Sequence, residues 1–123
     1  MRIAKTFHFE AAHRLEGWPA SHKCHHLHGH SYKVQVLFEG PVPKFGDECV
    51  VDFAEINSCW RTIEPMVDHR YLNEALNLKN TTAEVLCVWF AEAFKKWRLT
   101  KSGVHLARVR VYETEDSYAE YEP

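Results

Sequence analysis

Hydrophobic and polar positions follow two different rhythms along this chain, and the switches between them predict its layout. Arg2 to His13 begins as an extended stretch with Ile3, Phe7 and Phe9 on one side. From His28 to Phe38 the alternation is clean. His28, His30, Tyr32, Val34, Val36 and Phe38 share one face; Ser31, Lys33, Gln35 and Glu39 share the other, with Leu37 the exception. Period two is the signature of a half-buried strand. Between these segments, Trp18 through Gly29 is rich in His, Ser and Lys and reads as a long loop. Gly40-Pro41-Val42-Pro43 and Gly46-Asp47 break the second strand.

The rhythm then becomes helical. Phe53, Ile56, Trp60, Ile63 and Val67 recur at three- and four-residue steps behind Asp52-Phe53-Ala54-Glu55, a capping box with Asp52 as N-cap. Pro65 is expected to end or kink this helix. Thr81-x-x-Glu84 is a second capping box, and Val85, Leu86, Trp89, Phe90, Ala93, Phe94 and Trp97 form an apolar stripe after it. Strand rhythm returns with His105, Ala107, Val109, Val111 and Glu113 on one face and Leu106, Arg108, Arg110 and Tyr112 on the other. A turn at Glu115-Asp116 leads to a last strand, Ser117 to Tyr121. The predicted order is strand-strand-helix-helix-strand-strand. It implies an α+β fold, a four-stranded antiparallel sheet with two helices on one face. Such a sheet leaves two edges to be covered or paired, which points to assembly through the edges.

Composition narrows the function classes. With 123 residues, 46% hydrophobic and 26% charged, one domain spanning residues 1–123 is expected. Fifteen basic residues balance 17 acidic ones, and no basic run offers a nucleic-acid surface. The apolar runs are too short for a membrane span, and the N-terminus lacks an apolar signal region. A reducing, cytoplasmic setting is therefore expected for Cys24, Cys49, Cys59 and Cys87. Cys49, Cys59 and Cys87 have apolar neighbours and read as packed thiols, whereas Cys24 sits among histidines and a lysine. Seven of the nine histidines fall between His8 and His30.

His28-Gly29-His30 at the start of a strand is the strongest local signal. Residues two apart on a strand point the same way, so both imidazoles can reach one ion. Antiparallel pairing of the first two strands would bring His13 alongside. Three neutral imidazoles leave a tetrahedral Zn²⁺ one open position, the mark of a catalytic site. The competing interpretations are a solvated histidine-rich loop without an ion, or a Cys24–His28 ligand pair in a structural site. Cys24 is a base or nucleophile if its thiol is acidified by zinc, Lys23 and the imidazoles, and otherwise an inert surface cysteine. Asp68-His69 pairs a carboxylate with an imidazole suited to proton transfer, although such neighbours are common on surfaces. Glu113 ends an apolar strand face, where a carboxylate needs a ligand with adjacent N–H donors, such as an aminopyrimidinone ring, or a cross-strand Arg or Lys.

Six ordered motifs carry a resemblance. They are Phe9-Glu10-Ala11-Ala12-His13-Arg14-Leu15, Cys24-x-x-x-His28-Gly29-His30-Ser31-Tyr32, Val51-Asp52-Phe53, Asp68-His69-x-x-Leu72-Asn73, Asn80-Thr81-Thr82-x-Glu84 and Val111-Tyr112-Glu113-Thr114. From about Lys5 to Tyr121 the chain resembles the family of 6-pyruvoyltetrahydropterin synthase and 6-carboxytetrahydropterin synthase (QueD). The resemblance implies a tunnelling fold (T-fold), in which trimers close their sheets into a barrel and two trimers stack as a hexamer. It also implies His13, His28 and His30 as zinc ligands, Cys24 as catalytic thiol with Asp68 and His69 as proton relay, Glu113 as pterin anchor, and Thr82 beside it.

Three residues, His25-His26-Leu27, separate the cysteine from His-Gly-His, which is similar to the carboxy branch; the pyruvoyl enzymes of eukaryotes carry a longer insertion there. The implied activity is that of a zinc-dependent lyase. It would convert 7,8-dihydroneopterin triphosphate to 6-carboxytetrahydropterin, acetaldehyde and triphosphate, on the way to queuosine and other 7-deazapurines. The alternatives are a pyruvoyl synthase that stops after triphosphate elimination, and a zinc-binding assembly protein without catalysis.

Overall fold

The structure, a computed structural model, describes residues 1–46, 49–97 and 99–123. Asp47, in the expected Gly46-Asp47 break, lies outside the described residues. Two long strands organise the sheet. β1 (Arg2–His13) and β2 (His28–Glu39) pair antiparallel along their whole length, with Phe9 opposite Tyr32, Ala11 opposite His30 and His13 opposite His28. A single 3-10 turn, Lys23–His25, punctuates the loop between them.

The first helix, α1 (Phe53–Val67), starts where the sequence predicts, with the Asp52 carboxylate accepting the Ala54 N–H at 2.8 Å. The second half of that capping box is diverted: the Glu55 carboxylate accepts from Thr100 N (2.6 Å) and Thr100 Oγ1 (2.9 Å) instead. The helix also runs past Pro65 to Val67. Pro65 lies in the last turn on the exposed side, where the carbonyl it cannot serve is open to water, while fully buried Val67 holds the end down.

Next come a two-residue strand, β3 (Arg70–Tyr71), and a short helix, α2 (Leu72–Ala75). Neither was expected. β3 pairs parallel with β1 through Ala11 and Ala12, so the four antiparallel strands gain a fifth at one edge and the sheet is mixed. α3 (Ala83–Lys95), β4 (His105–Tyr112) and β5 (Tyr118–Tyr121) complete the order β3-β1-β2-β4-β5. In β4 the register slips by one between Leu37 and Phe38 of β2, so Leu106 opposes Phe38 and Arg108 opposes Leu37. The extra residue, Ala107, inverts the predicted parity, and Leu106 joins the core with Val109 and Val111.

Both long helices cover the same face of the sheet. Phe7 stacks on Trp60 of α1 at 4.7 Å, and Phe9 meets Phe90 of α3 at 5.6 Å. Cys59 and Cys87 are buried in this core, which pushes each thiol up to about 11. Cys49 is exposed, against the packing expected from its valine neighbours; Val50 and Val51 take the buried positions. At one end of the core-facing side, the apolar rows of β1 and β2 give way to histidines. Among the described residues no helix is long and apolar enough to cross a membrane.

Candidate metal centre and proton-transfer groups

The end of β1 and the start of β2 bring His13, His28 and His30 together by register alone. His13 lies directly across from His28, and His30 follows two residues on, so all three rings leave the same face. One ring nitrogen from each lies within 4.8 Å of the others, and His13 is fully buried.

Hydrogen bonds behind the rings set which nitrogen faces inward. His13 Nδ1–H donates to the Thr81 carbonyl at 3.0 Å, with Thr81 Oγ1 at 3.2 Å, and His28 Nδ1–H donates to the His26 carbonyl at 2.7 Å. Each leaves its Nε2 lone pair directed forward, and the two Nε2 atoms stand 3.0 Å apart. Two lone pairs at that distance repel unless a cation or proton lies between them. Burial lowers the His13 pKa, with the neighbouring imidazoles adding to the effect, and burial likewise lowers His30. Neutral imidazoles tied through their second nitrogen to a backbone carbonyl are the form in which histidine binds metal.

Among the described residues, two buried side-chain polar atoms have no hydrogen-bond partner, His30 Nε2 and the Tyr32 hydroxyl. Both belong to this place. His30 Nε2 lies 3.5 Å from Glu113 Oε1, close enough to feel its charge and too far for a good hydrogen bond. Tyr32 stacks on Phe9 at 4.9 Å and stands edge-on to His13 and His30. Burial, reinforced by the Glu113 charge, raises the Tyr32 pKa and keeps the hydroxyl protonated. Each orphaned buried polar atom costs about 1–3 kcal/mol. Two at one spot, beside converging imidazole lone pairs, fit a site that receives an ion and a polar ligand. The residues present could hold a metal ion.

Glu113 follows the last residue of β4 and is half-buried. Among the described residues no Arg or Lys pairs with it. The loop beyond is closed by Glu113 N–H donating to Ser117 O (3.1 Å) and by Asp116, which accepts from the Thr114 and Ser117 hydroxyls.

The remaining expected residues lie elsewhere. Cys24 sits in the 3-10 turn, partly buried, its carbonyl accepting Leu15 N–H at 2.8 Å and its N–H donating to His22 Nδ1 at 3.1 Å. Asp68 and His69 follow α1 and dock on the other flank of β1. Asp68 Oδ1 accepts Glu10 N–H (2.9 Å), His69 N–H donates to Glu10 O (2.6 Å), and Asp68 Oδ2 accepts from His69 Nδ1 (2.8 Å). The Glu10 N–H and then His69 hold the Asp68 carboxyl below the usual carboxylate range. His69 has φ 55°, a left-handed conformation uncommon outside glycine. It opens onto a groove of about 540 Å³ at the sheet edge that is also lined by Glu10, Ala11, Ala12, Gly29, His30 and Ser31. Among the described residues no hydrogen bond joins Cys24 to Asp68 or His69. Their anchors on the chain differ: Cys24 bonds Leu15 in the loop after β1, whereas Asp68 and His69 bond Glu10 within β1.

Thr82 is the N-cap of α3, its Oγ1 accepting Val85 N–H at 3.4 Å, in place of the expected Thr81. Thr81 is instead buried and committed to His13. Tyr32, Thr81 and Asn73 are the site residues that sequence reasoning left without a role. Tyr32 was detectable from parity, since it shares the strand face of His28 and His30. The spare loop histidines have structural work: His22 caps the 3-10 turn and packs against Trp18 at 4.5 Å, and His25 Nδ1 bonds the Trp18 carbonyl at 2.8 Å.

Comparison with known proteins agrees with this architecture. The sequence profile of the family described as 6-pyruvoyl tetrahydropterin synthase matches residues 2–123. A 6-carboxy-5,6,7,8-tetrahydropterin synthase from Synechocystis is 38% identical over 127 residues, covering 97% of this chain and 91% of that protein. A dihydroneopterin monophosphate aldolase from Pyrococcus furiosus is 29% identical, covering 98% and 96%. The structure of Caenorhabditis elegans 6-pyruvoyl tetrahydropterin synthase superposes with a TM-score of 0.86 at 25% identity, over 100% of this chain and 95% of that one. Fold, ordered motifs and near-complete coverage agree: this chain has the tunnelling fold and belongs to the 6-pyruvoyl tetrahydropterin synthase family.

Proposed function

We propose that the protein is a zinc-dependent 6-carboxy-5,6,7,8-tetrahydropterin synthase, converting 7,8-dihydroneopterin triphosphate to 6-carboxytetrahydropterin, acetaldehyde and triphosphate in 7-deazapurine (queuosine) synthesis. The observation that carries the metal part is the convergence of His13, His28 and His30, with two unpartnered buried polar atoms beside them. When bound, zinc supplies Lewis acidity toward the hydroxyls of the substrate side chain. The chain's own residues do the rest. The Glu113 carboxylate accepts the adjacent N–H donors of the pterin ring and fixes its orientation, and Thr82 lies near that ring. The Cys24 thiolate removes a proton from the side chain. His69, oriented and charged by Asp68, returns protons as triphosphate leaves and as the carbon–carbon bond breaks, with water supplying the second oxygen of the new carboxylate.

Cys24 is anchored at Leu15, in the loop after β1, and His69 at Glu10 of β1, and among the described residues no hydrogen bond joins them. We therefore assign them to a site completed by two copies, as the exposed sheet edges favour, in a hexamer built as a dimer of trimers. The three-residue spacing between Cys24 and His28 favours the carboxy product over pyruvoyltetrahydropterin. Incubation of the zinc-loaded protein with dihydroneopterin triphosphate is expected to release acetaldehyde and 6-carboxytetrahydropterin. A pyruvoyl product without acetaldehyde would move the protein to the other branch. Absence of any pterin turnover would leave a zinc-binding assembly protein.

A further inference from the structure

Asn73 ties together the segments that support His13, and it makes every hydrogen bond its amide can make. It sits in α2 and is 7% exposed. Its Oδ1 accepts from Arg14 N–H at 3.0 Å and from Thr81 Oγ1 at 3.3 Å. Its Nδ2 donates to the Arg14 carbonyl at 2.8 Å and to the Lys79 carbonyl at 2.8 Å. A side-chain amide offers two donors and two acceptor positions, and all four are used here. The orientation is unambiguous, because a backbone N–H must face the oxygen and two carbonyls must face the nitrogen.

The partners define the role. Arg14 directly follows His13, and Lys79 stands two residues before Thr81, whose carbonyl receives the His13 Nδ1–H. The amide thus spans both sides of the contact between Thr81 and Nδ1 that orients a fully buried imidazole. α2 is itself fixed, since β3 pairs with Ala11 and Ala12 of β1 and Leu72 is fully buried. The brace therefore runs from β1, through α2, to the loop before α3 and back to the end of β1.

We propose that Asn73 is a positioning residue of the metal centre, setting the ring orientation and tautomer of His13 through Thr81 and Arg14. The proposal rests on the zinc-binding interpretation of the three histidines. Asn73 touches neither the ion nor the pterin; it acts by holding the acceptor and the backbone between which the His13 ring is fixed. Partners of this kind are worth about 10- to 100-fold in metal affinity.

The test is zinc affinity of the metal-free protein by chelator competition, together with the visible spectrum of the Co²⁺-substituted form. Asn73→Asp keeps the shape but turns an acceptor toward two carbonyls. It is expected to weaken zinc binding about 10- to 100-fold and alter the Co²⁺ bands at temperatures where circular dichroism shows the fold intact. Glu16→Ala, in the same loop and paired with Arg14 on the surface, is expected to leave both readouts unchanged. If Asn73→Asp does not fold, Asn73→Ser decides. It removes the donors to the Arg14 and Lys79 carbonyls while leaving both Thr81 contacts with His13 in place, and it is expected to weaken zinc binding several-fold. Wild-type affinity and spectrum in the deciding folded variant would overturn the role of Asn73. Failure of the wild-type protein to bind zinc would instead overturn the metal-centre interpretation beneath it.

Discussion

The histidine end of the sheet and the pair Asp68–His69 lie along the same strand, yet they are built in opposite ways. At the histidine end, register brings three side chains from β1 and β2 to one point, and carbonyls of Thr81 and His26 lock the rings of His13 and His28 from behind. Everything needed to hold an ion comes from a single chain. The Asp68–His69 pair is held mainly by its contacts with Glu10, opens onto a groove at the sheet edge, and among the described residues has no hydrogen bond to the thiol it is proposed to serve. A rigid sheet supplies a metal site cheaply, because pleat and pairing already aim side chains at one point. Proton transfer requires groups that approach a substrate from outside, and a 123-residue chain has little interior in which to surround one.

That contrast separates the effects of substitutions. The largest are expected from paired variants at the two regions. His28→Ala should yield protein without stoichiometric zinc by metal analysis after dialysis. Cys24→Ala should retain full zinc while turnover falls by about 10²–10⁴. Zinc kept in the first or lost in the second would erase the division between the two regions.

Tyr32→Phe sharpens the description of the histidine end. The Tyr32 hydroxyl is buried without a partner, so its removal should stabilise the metal-free protein by about 1 kcal/mol or more in denaturant unfolding. A loss of stability would mean that the hydroxyl has a partner in the metal-free protein.

The smallest effect concerns Asp68. Its carboxyl is held low, first by the Glu10 N–H and then by His69. A folded-state pKa below the unfolded one contributes stability that is present above the unfolded value of about 3.9 and is lost as pH falls through the folded one. NMR titration of the carboxyl should give a midpoint below about 3.9, returning toward it in His69→Ala. A midpoint at or above that value would detach the pair from β1.

The sheet was legible where rhythm is long and local. β1, β2 and both long helices announce themselves over a dozen residues each, and the shared parity of His28, His30 and Tyr32 follows from β2 alone. What escaped depends on distant partners or on segments too short to have a rhythm. β3 has two residues and exists because Ala11 and Ala12 offer an open edge. Thr81 and Thr82 are equivalent as local caps, and the choice between them is made by His13, 68 residues away. Asn73 falls within a motif, but its four bonds reach loops that come together only in the folded chain. Ala107 inverts the parity of β4 through a bulge that no alternation pattern marks.

One mixing experiment tests the proposal that Cys24 and His69 of one site come from different copies. Cys24→Ala and His69→Ala should each be nearly inactive alone. Unfolded together in equal amounts and reassembled with zinc, they should recover up to about a quarter of wild-type turnover. Random mixing gives that fraction of sites both intact groups when adjacent copies supply one each. Recovery near zero from well-formed mixed assemblies would mean that one chain provides both groups, contradicting the account.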